Sequence, residues 1–189
     1  MSKRVFLIHG WEGYPENCWF PWLRKELENR GFQVFVPAMP NPEEPEIESW
    51  VNKLNNITKK LDDDTYFVGH SIGCQAIMRY LQTINNNVGG IIFVAGWFNL
   101  PCLETKEEKR IAKPWLEMPI DTERIKKLSK NIIAIFSDDD PDVPLSDSEL
   151  FKSRLNAKII IEHNKGHFSD DAGVKELPIV LKELLRISK

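Results

Sequence analysis

The stretch Tyr66-Phe67-Val68-Gly69-His70-Ser71-Ile72-Gly73-Cys74-Gln75-Ala76 joins an apolar run of strand type to a segment able to continue as a helix, with two glycines flanking a serine. Gly69 and Gly73 let a strand turn abruptly into a helix while the backbone lies close to its neighbours, which leaves the Ser71 hydroxyl at the apex. A serine nucleophile needs that exposure. The pentapeptide alone is short, and a plain glycine-rich turn is the bland reading. Residues far from it in sequence decide between the two.

Residues 5–8 form a continuously apolar run, the pattern of a strand covered on both faces of a parallel sheet. Phe20, Leu23 and Leu27 repeat at helical spacing within 19–29, and Gly31 is a natural stop. The same alternation continues down the chain. A strand over 33–37 is followed by a helix over 46–60, and the Ser71 strand by a helix from 72 to about 84. After a strand over 88–95, residues 100–119 read as a polar, proline-punctuated excursion that crosses near the site and carries Trp115. A short helix over 122–128, a strand over 132–136, a helix over 145–155, a strand over 158–162 and a helix over 174–187 complete the chain. Strands alternating with helices predict an α/β fold, a three-layer α/β/α sandwich with a mostly parallel central sheet, in one domain spanning residues 1–189.

Three groups of catalytic type fall in loops after consecutive strands. They are Ser71, the aspartates Asp138, Asp139, Asp140 and Asp142, and the histidines His163 and His167. The order Ser, Asp, His suits convergence at one sheet edge, with the serine attacking, a histidine taking its proton and a carboxylate fixing the imidazole. His167 lies deeper in its loop than His163, and Gly166 frees the backbone to point it inward. Asp140, just before Pro141, is the first choice for the acid, with Asp139 and Asp138 behind it. Four ionised carboxylates in one loop repel, so most must face water. His9, after the first strand, either holds its loop by a hydrogen bond or takes a direct part. Backbone N–H groups of Trp11 and Ile72 are the expected oxyanion donors. Together these imply acyl transfer to water.

Metal chemistry is the weaker reading, because the aspartates and histidines lack dense ligand spacing and leave the serine unexplained. No cofactor is expected, since the first loop has no dinucleotide fingerprint. The formal charge of −3 argues against an extended nucleic-acid or anionic-membrane surface. No run of residues approaches bilayer-spanning length. Cys18, Cys74 and Cys102 share no metal-ligand spacing and read as reduced thiols, which places the protein in the cytoplasm.

At this point the whole chain resembles the small α/β-hydrolases of the retinoblastoma-binding-protein-nine type. The matching pieces are Phe6-Leu7-Ile8-His9-Gly10-Trp11, Met39-Pro40-Asn41-Pro42, Gly69-His70-Ser71-Ile72-Gly73, Met78-Arg79-Tyr80-Leu81 and Lys113-Pro114-Trp115. Asp139-Asp140-Pro141 with Pro144, and Gly166-His167-Phe168, complete the set. The resemblance implies a minimal α/β-hydrolase fold without a large cap domain and a triad of Ser71, Asp140 and His167. The chain departs from that pattern in the acidic Asp138 and Asp142 and in reading His9-Gly10-Trp11 in the first loop. Leu100-Pro101-Cys102-Leu103-Glu104 also matches the Leu-x-Cys-x-Glu spacing that the family name brings to mind, and packing beside the site accounts for it equally simply.

The leading expectation is a serine carboxylesterase cleaving small or medium acyl esters, as a monomer or homodimer. His9, Gly10, Trp11, Trp97, Trp115 and Phe168 are the candidates for its substrate pocket, and core packing is expected to take at least two of the aromatics. The alternative is a protein-binding module that keeps the fold with slow or absent chemistry.

Overall fold

The computed structural model describes residues 2–189. Its centre is a six-stranded sheet in which every pair of neighbours is parallel, in the order β2-β1-β3-β4-β5-β6. The strands are β1 (Arg4–Ile8), β2 (Gln33–Phe35), β3 (Thr65–His70), β4 (Gly90–Val94), β5 (Ile132–Ser137) and β6 (Lys158–Glu162). The helices are α1 (Phe20–Glu28), α2 (Ile47–Ile57), α3 (Ile72–Leu81), α4 (Lys106–Glu117), α5 (Thr122–Leu128), α6 (Asp147–Leu155) and α7 (Pro178–Ile187).

Continuous apolar strands are explained by the two cores they separate. Phe6, Ile8, Phe67, Ile91, Phe93, Ala134 and Phe136 face one core, shared with α2, α3, α5 and α6. Val5, Leu7, Val68, Ile92, Val94, Ile133 and Ile135 face the other, shared with α1 and α7. Successive residues point to opposite faces of a strand, so a sheet buried on both sides needs apolar side chains at every position. Phe6 pairs in register with Phe35 and Phe67, and their rings stack at 4.8 and 5.3 Å.

The strand order fixes where a site can form. From β1 the chain steps outward to β2, then crosses to the other side of β1 for β3 and continues that way to β6. The loops leaving β1 and β3 therefore diverge and open a crevice at their carboxyl ends. Residues 9–13 and Ser71 are the segments that leave there.

Within the polar, proline-punctuated excursion over 100–119, residues 106–117 form α4, a helix that the sequence reading did not assign. The Thr105 hydroxyl accepts from Glu108 N at 3.0 Å while the Glu108 carboxylate accepts from Thr105 N at 2.9 Å. This capping box outweighs Pro114, which sits inside the helix and removes only one late hydrogen bond. Ile111, Ala112 and Trp115 bury one face of α4. At its end the Arg79 guanidinium, from α3, donates to Trp115 O and Met118 O at 2.7 and 3.0 Å and lies over the Trp115 ring. A cation at exposed helix carbonyls complements the dipole, although burial pulls the Arg79 pKa down to about 10. Other elements are shorter than their sequence patterns suggested. Helix α7 begins at Pro178, which lacks the N–H an interior position would need, and β2 stops at Phe35. Among the described residues no helix is long and apolar enough to cross a membrane.

Candidate active site

Ser71 has φ 53° and ψ −122°, a conformation rare for a residue with a side chain, at the junction of β3 and α3. The two glycines make that junction possible. A Cβ at Gly69 would lie 2.8 Å from Cys74 N, and one at Gly73 would lie 2.4 Å from Ile8 O and 2.6 Å from His9 O. The first turn of α3 thus presses against the end of β1. Ser71 N donates to Val94 O at 2.9 Å and ties the turn to β4 as well. Among the described residues no backbone carbonyl accepts from the N–H of Ile72, the first residue of α3, or from that of Trp11, in the loop after β1.

The loops after β5 and β6 are stitched together, and each aspartate has its own task. Asp138 accepts from Asn164 N at 3.1 Å and pairs with His163 at 2.5 Å, which lowers the aspartate pKa and raises that of the histidine. Asp139 accepts from Ser137 Oγ at 2.6 Å and Gly166 N at 2.8 Å, contacts that hold its carboxyl below the ordinary range. Asp140 accepts from Asp142 N and Val143 N at 2.9 and 3.1 Å, a turn that swings its carboxylate inward. Only 3% of the Asp140 side chain is exposed, and both its oxygens lie 3.0 Å from His167 Nδ1. His163 points to solvent instead, with 78% of its side chain exposed.

Asp142 Oδ2 also lies 3.8 Å from His167 Nδ1. Asp140, Asp142 and His167 each offer one ligand atom within 4.8 Å of the others, enough to receive a divalent ion. Such an ion would compete for the Nδ1 that the Asp140 carboxylate already engages.

Two further histidines stand behind this arrangement. The His9 ring is buried, with Nδ1 2.9 Å from Gly10 O and Nε2 accepting from Met39 N at 3.0 Å. Both nitrogens are occupied by backbone, and burial lowers its pKa, so His9 is a neutral brace for the first loop. His70 has a role that was not read from the sequence. Its Nε2 donates to His167 O at 2.7 Å, its ring lies 5.0 Å from that of His167, and burial drives its pKa down to about 3. The signal was available in the period of β3, where Tyr66, Val68 and His70 alternate onto the α1 side, and His70 meets Trp19 and Phe20 there.

Ser71, Ile72 and His167 border one open cleft of about 780 Å³. His9, Gly10, Trp11 and Trp97 line it too. Trp115 and Phe168 do not, and they drop out of the predicted pocket. Trp115 is buried against Trp50, with its Nε1 donating to Pro45 O at 2.8 Å. Phe168 is fully buried in the α1/α7 core, where a left-handed backbone (φ 53°) turns it away from the histidine beside it.

Residues 5–186 match the family model described as serine hydrolase. The chain belongs to this serine hydrolase family. Among curated relatives, the putative hydrolase YdeN of Bacillus subtilis is 37% identical over 183 residues, covering 95% of this chain and 93% of that protein. Serine hydrolase RBBP9 of Rattus norvegicus is 31% identical over 168 residues, covering 88% and 86%. The crystal structure of the B. subtilis ydeN product superposes with a TM-score of 0.91 at 34% identity over 98% of each chain. Est1E from Butyrivibrio proteoclasticus, at 17% identity and a TM-score of 0.72 over 97% of this chain and 89% of its own, shares the fold. This hydrolase therefore has the α/β-hydrolase architecture without a large cap domain, as the resemblance implied.

Proposed function

We propose that the chain is a carboxylesterase acting on small or medium acyl esters, with Ser71 as nucleophile, His167 as general base and acid, and Asp140 as its orienting carboxylate. The observation that supports this most is the pair of 3.0 Å contacts from His167 Nδ1 to a nearly buried Asp140, on a histidine that shares its cleft with Ser71. A carboxylate at Nδ1 fixes the tautomer that leaves Nε2 free to accept a proton. No hydrogen bond closes between the Ser71 hydroxyl and His167 here, and such contacts commonly tighten only when substrate is bound.

In the first half-reaction Ser71 Oγ attacks the ester carbonyl carbon while His167 Nε2 takes the hydroxyl proton. The N–H groups of Trp11 and Ile72 hold the resulting oxyanion. On collapse the carbon–oxygen bond to the alcohol breaks, and His167 returns its proton to the leaving oxygen. Water then adds to the acyl-enzyme with His167 as base, releasing the acid and restoring Ser71. An open cleft with Trp97 and Leu100 in its wall suits short acyl groups better than long chains, which would lie uncovered.

The reading as a binding module calls for a filled cleft and a broad apolar surface. The cleft is open, and the large exposed apolar side chains among the described residues, Tyr14, Met118, Leu145 and Ile161, come from separate segments. Hydrolysis of p-nitrophenyl acetate, butyrate and octanoate tests the esterase reading. Turnover should fall with chain length and be lost to background in H167A. Folded protein that cleaves none of the three would contradict it.

A further inference from the structure

The cleft is charged on one sign only. Glu12, Glu104, Glu108, Asp142, Asp170 and Asp171 line it, while none of the 25 lysines and arginines of the chain does. Overall the chain has 28 acidic residues and is nearly balanced, so the bias belongs to this opening and not to the composition. Two cations stand close behind the wall. Lys175 pairs with Asp170, and Lys109 donates to Glu104 O at 3.4 Å and sits near Glu108. Even with both counted, carboxylates remain in excess, and Glu12 and Asp171 have no ion-pair partner among the described residues.

The walls also differ from one side to the other. Trp97, Leu100 and Leu103, from the segment after β4, bring apolar side chains to one wall, with Glu104 and Glu108 following them at its end. The segment that follows His167 brings Asp170 and Asp171, and Asn17 is tied to Asp170 at 3.0 Å. Tyr14, with half its surface exposed, belongs to that same loop after β1. A histidine that delivers a proton to the leaving oxygen faces the leaving group, so the acidic, aromatic side is the one the alcohol portion meets. Carboxylates supply a field there, and an exposed phenol ring offers a face to a cation.

We infer that the cleft selects esters and thioesters whose leaving group carries a positive charge, an ammonium or quaternary ammonium on the alcohol or thiol portion. This rests on the esterase reading of the same cleft. Electrostatic attraction raises encounter and binding together, and salt weakens both, because the charges are solvent-accessible and act over roughly one Debye length.

The test uses three acetyl thioesters of similar size, followed by release of free thiol. They are acetylthiocholine, its neutral analogue with carbon in place of the ammonium nitrogen, and a carboxylate-bearing analogue. At low ionic strength kcat/KM for the cationic ester should exceed that of the neutral one by about tenfold, and the anionic ester should fall below it by a similar factor. Raising ionic strength to about 0.5 M should shrink the first ratio to about twofold. The double variant E12Q/D171N should lower the cationic-to-neutral ratio at least about threefold. Three thioesters cleaved at equal rates and with equal salt response would overturn charge selection and leave the esterase reading standing. If neither these thioesters nor p-nitrophenyl esters are cleaved by folded protein, the esterase reading fails and the selection with it.

Discussion

His70 Nε2 donates to the backbone carbonyl of His167 at 2.7 Å, so the residue before the Ser71 turn positions the segment that carries the histidine. A buried imidazole that must donate at Nε2 is neutral over the working range, and burial holds its pKa near 3. The unfolded chain releases that penalty. Between about pH 3 and the unfolded value near 6.5 the unfolded state binds the extra proton, so stability falls as pH drops through 6.5 toward 3. The slope approaches about 1.4 kcal/mol per pH unit for this one group. His163 acts in the opposite sense from a largely exposed position. Urea unfolding of H70Q, which keeps a donor without a titrating ring, should show a visibly flatter acid limb than the wild type. An unchanged acid limb would remove His70 as its source.

Three of the four aspartates before Val143, namely Asp139, Asp140 and Asp142, should separate by kinetics and stability. D140N should lower kcat/KM by roughly 10²–10⁴-fold, since the histidine loses the group that fixes its tautomer. Asp142, with an oxygen 3.8 Å from the same nitrogen, can take up part of that role. D140N/D142N should accordingly fall at least about tenfold below D140N. D139A should lower stability, because Ser137 Oγ and Gly166 N lose the oxygen they donate to, with a smaller effect on rate. Urea unfolding and steady-state kinetics on the same samples check both statements.

Gly73→Ala and Gly31→Ala offer a matched pair. At Gly73 a methyl would overlap the backbone of Ile8 and His9, which cannot retreat without moving β1. At Gly31 nothing lies within 4 Å, and the cost comes only from φ +83°. The first substitution should destabilise by about 3 kcal/mol or more, and the second by about 1 kcal/mol. Equal losses would show that the close approach at the Ser71 turn is not rigid.

The two buried tryptophans near the site should behave differently. W97A enlarges a wall of the cleft and should shift acyl preference from acetate toward butyrate by severalfold, alongside a loss of stability. W115F removes the hydrogen bond to Pro45 O and packing on Trp50. It should cost about 1–3 kcal/mol while leaving the acetate-to-butyrate ratio unchanged. A changed ratio in W115F would return Trp115 to the pocket.

Most of the fold was legible because a parallel sheet covered on both sides writes itself as unbroken apolar runs, as in Val5 to Ile8 and Ile132 to Phe136. Helix α4 was hidden for the opposite reason. Its one proline and its charges are surface features, whereas the signals that counted were Thr105 with Glu108 and the three-residue stripe Ile111, Ala112 and Trp115. At the site, chain order was enough to bring Ser71, Asp140 and His167 to one sheet edge. It could not tell Asp138, Asp139 and Asp140 apart by their contacts, because only the turn at Asp142 and Val143 decides which carboxylate swings inward. Nor could it separate Trp97, which reaches the cleft, from Phe168, whose direction is set by one left-handed backbone angle.

The most direct test of the account is covalent labelling by a fluorophosphonate, read as intact mass on the wild type and on S71A. The wild type should take one adduct per chain, mapped to Ser71, and folded S71A none. A wild type that stays unlabelled, or an S71A that labels equally, would contradict Ser71 as the nucleophile.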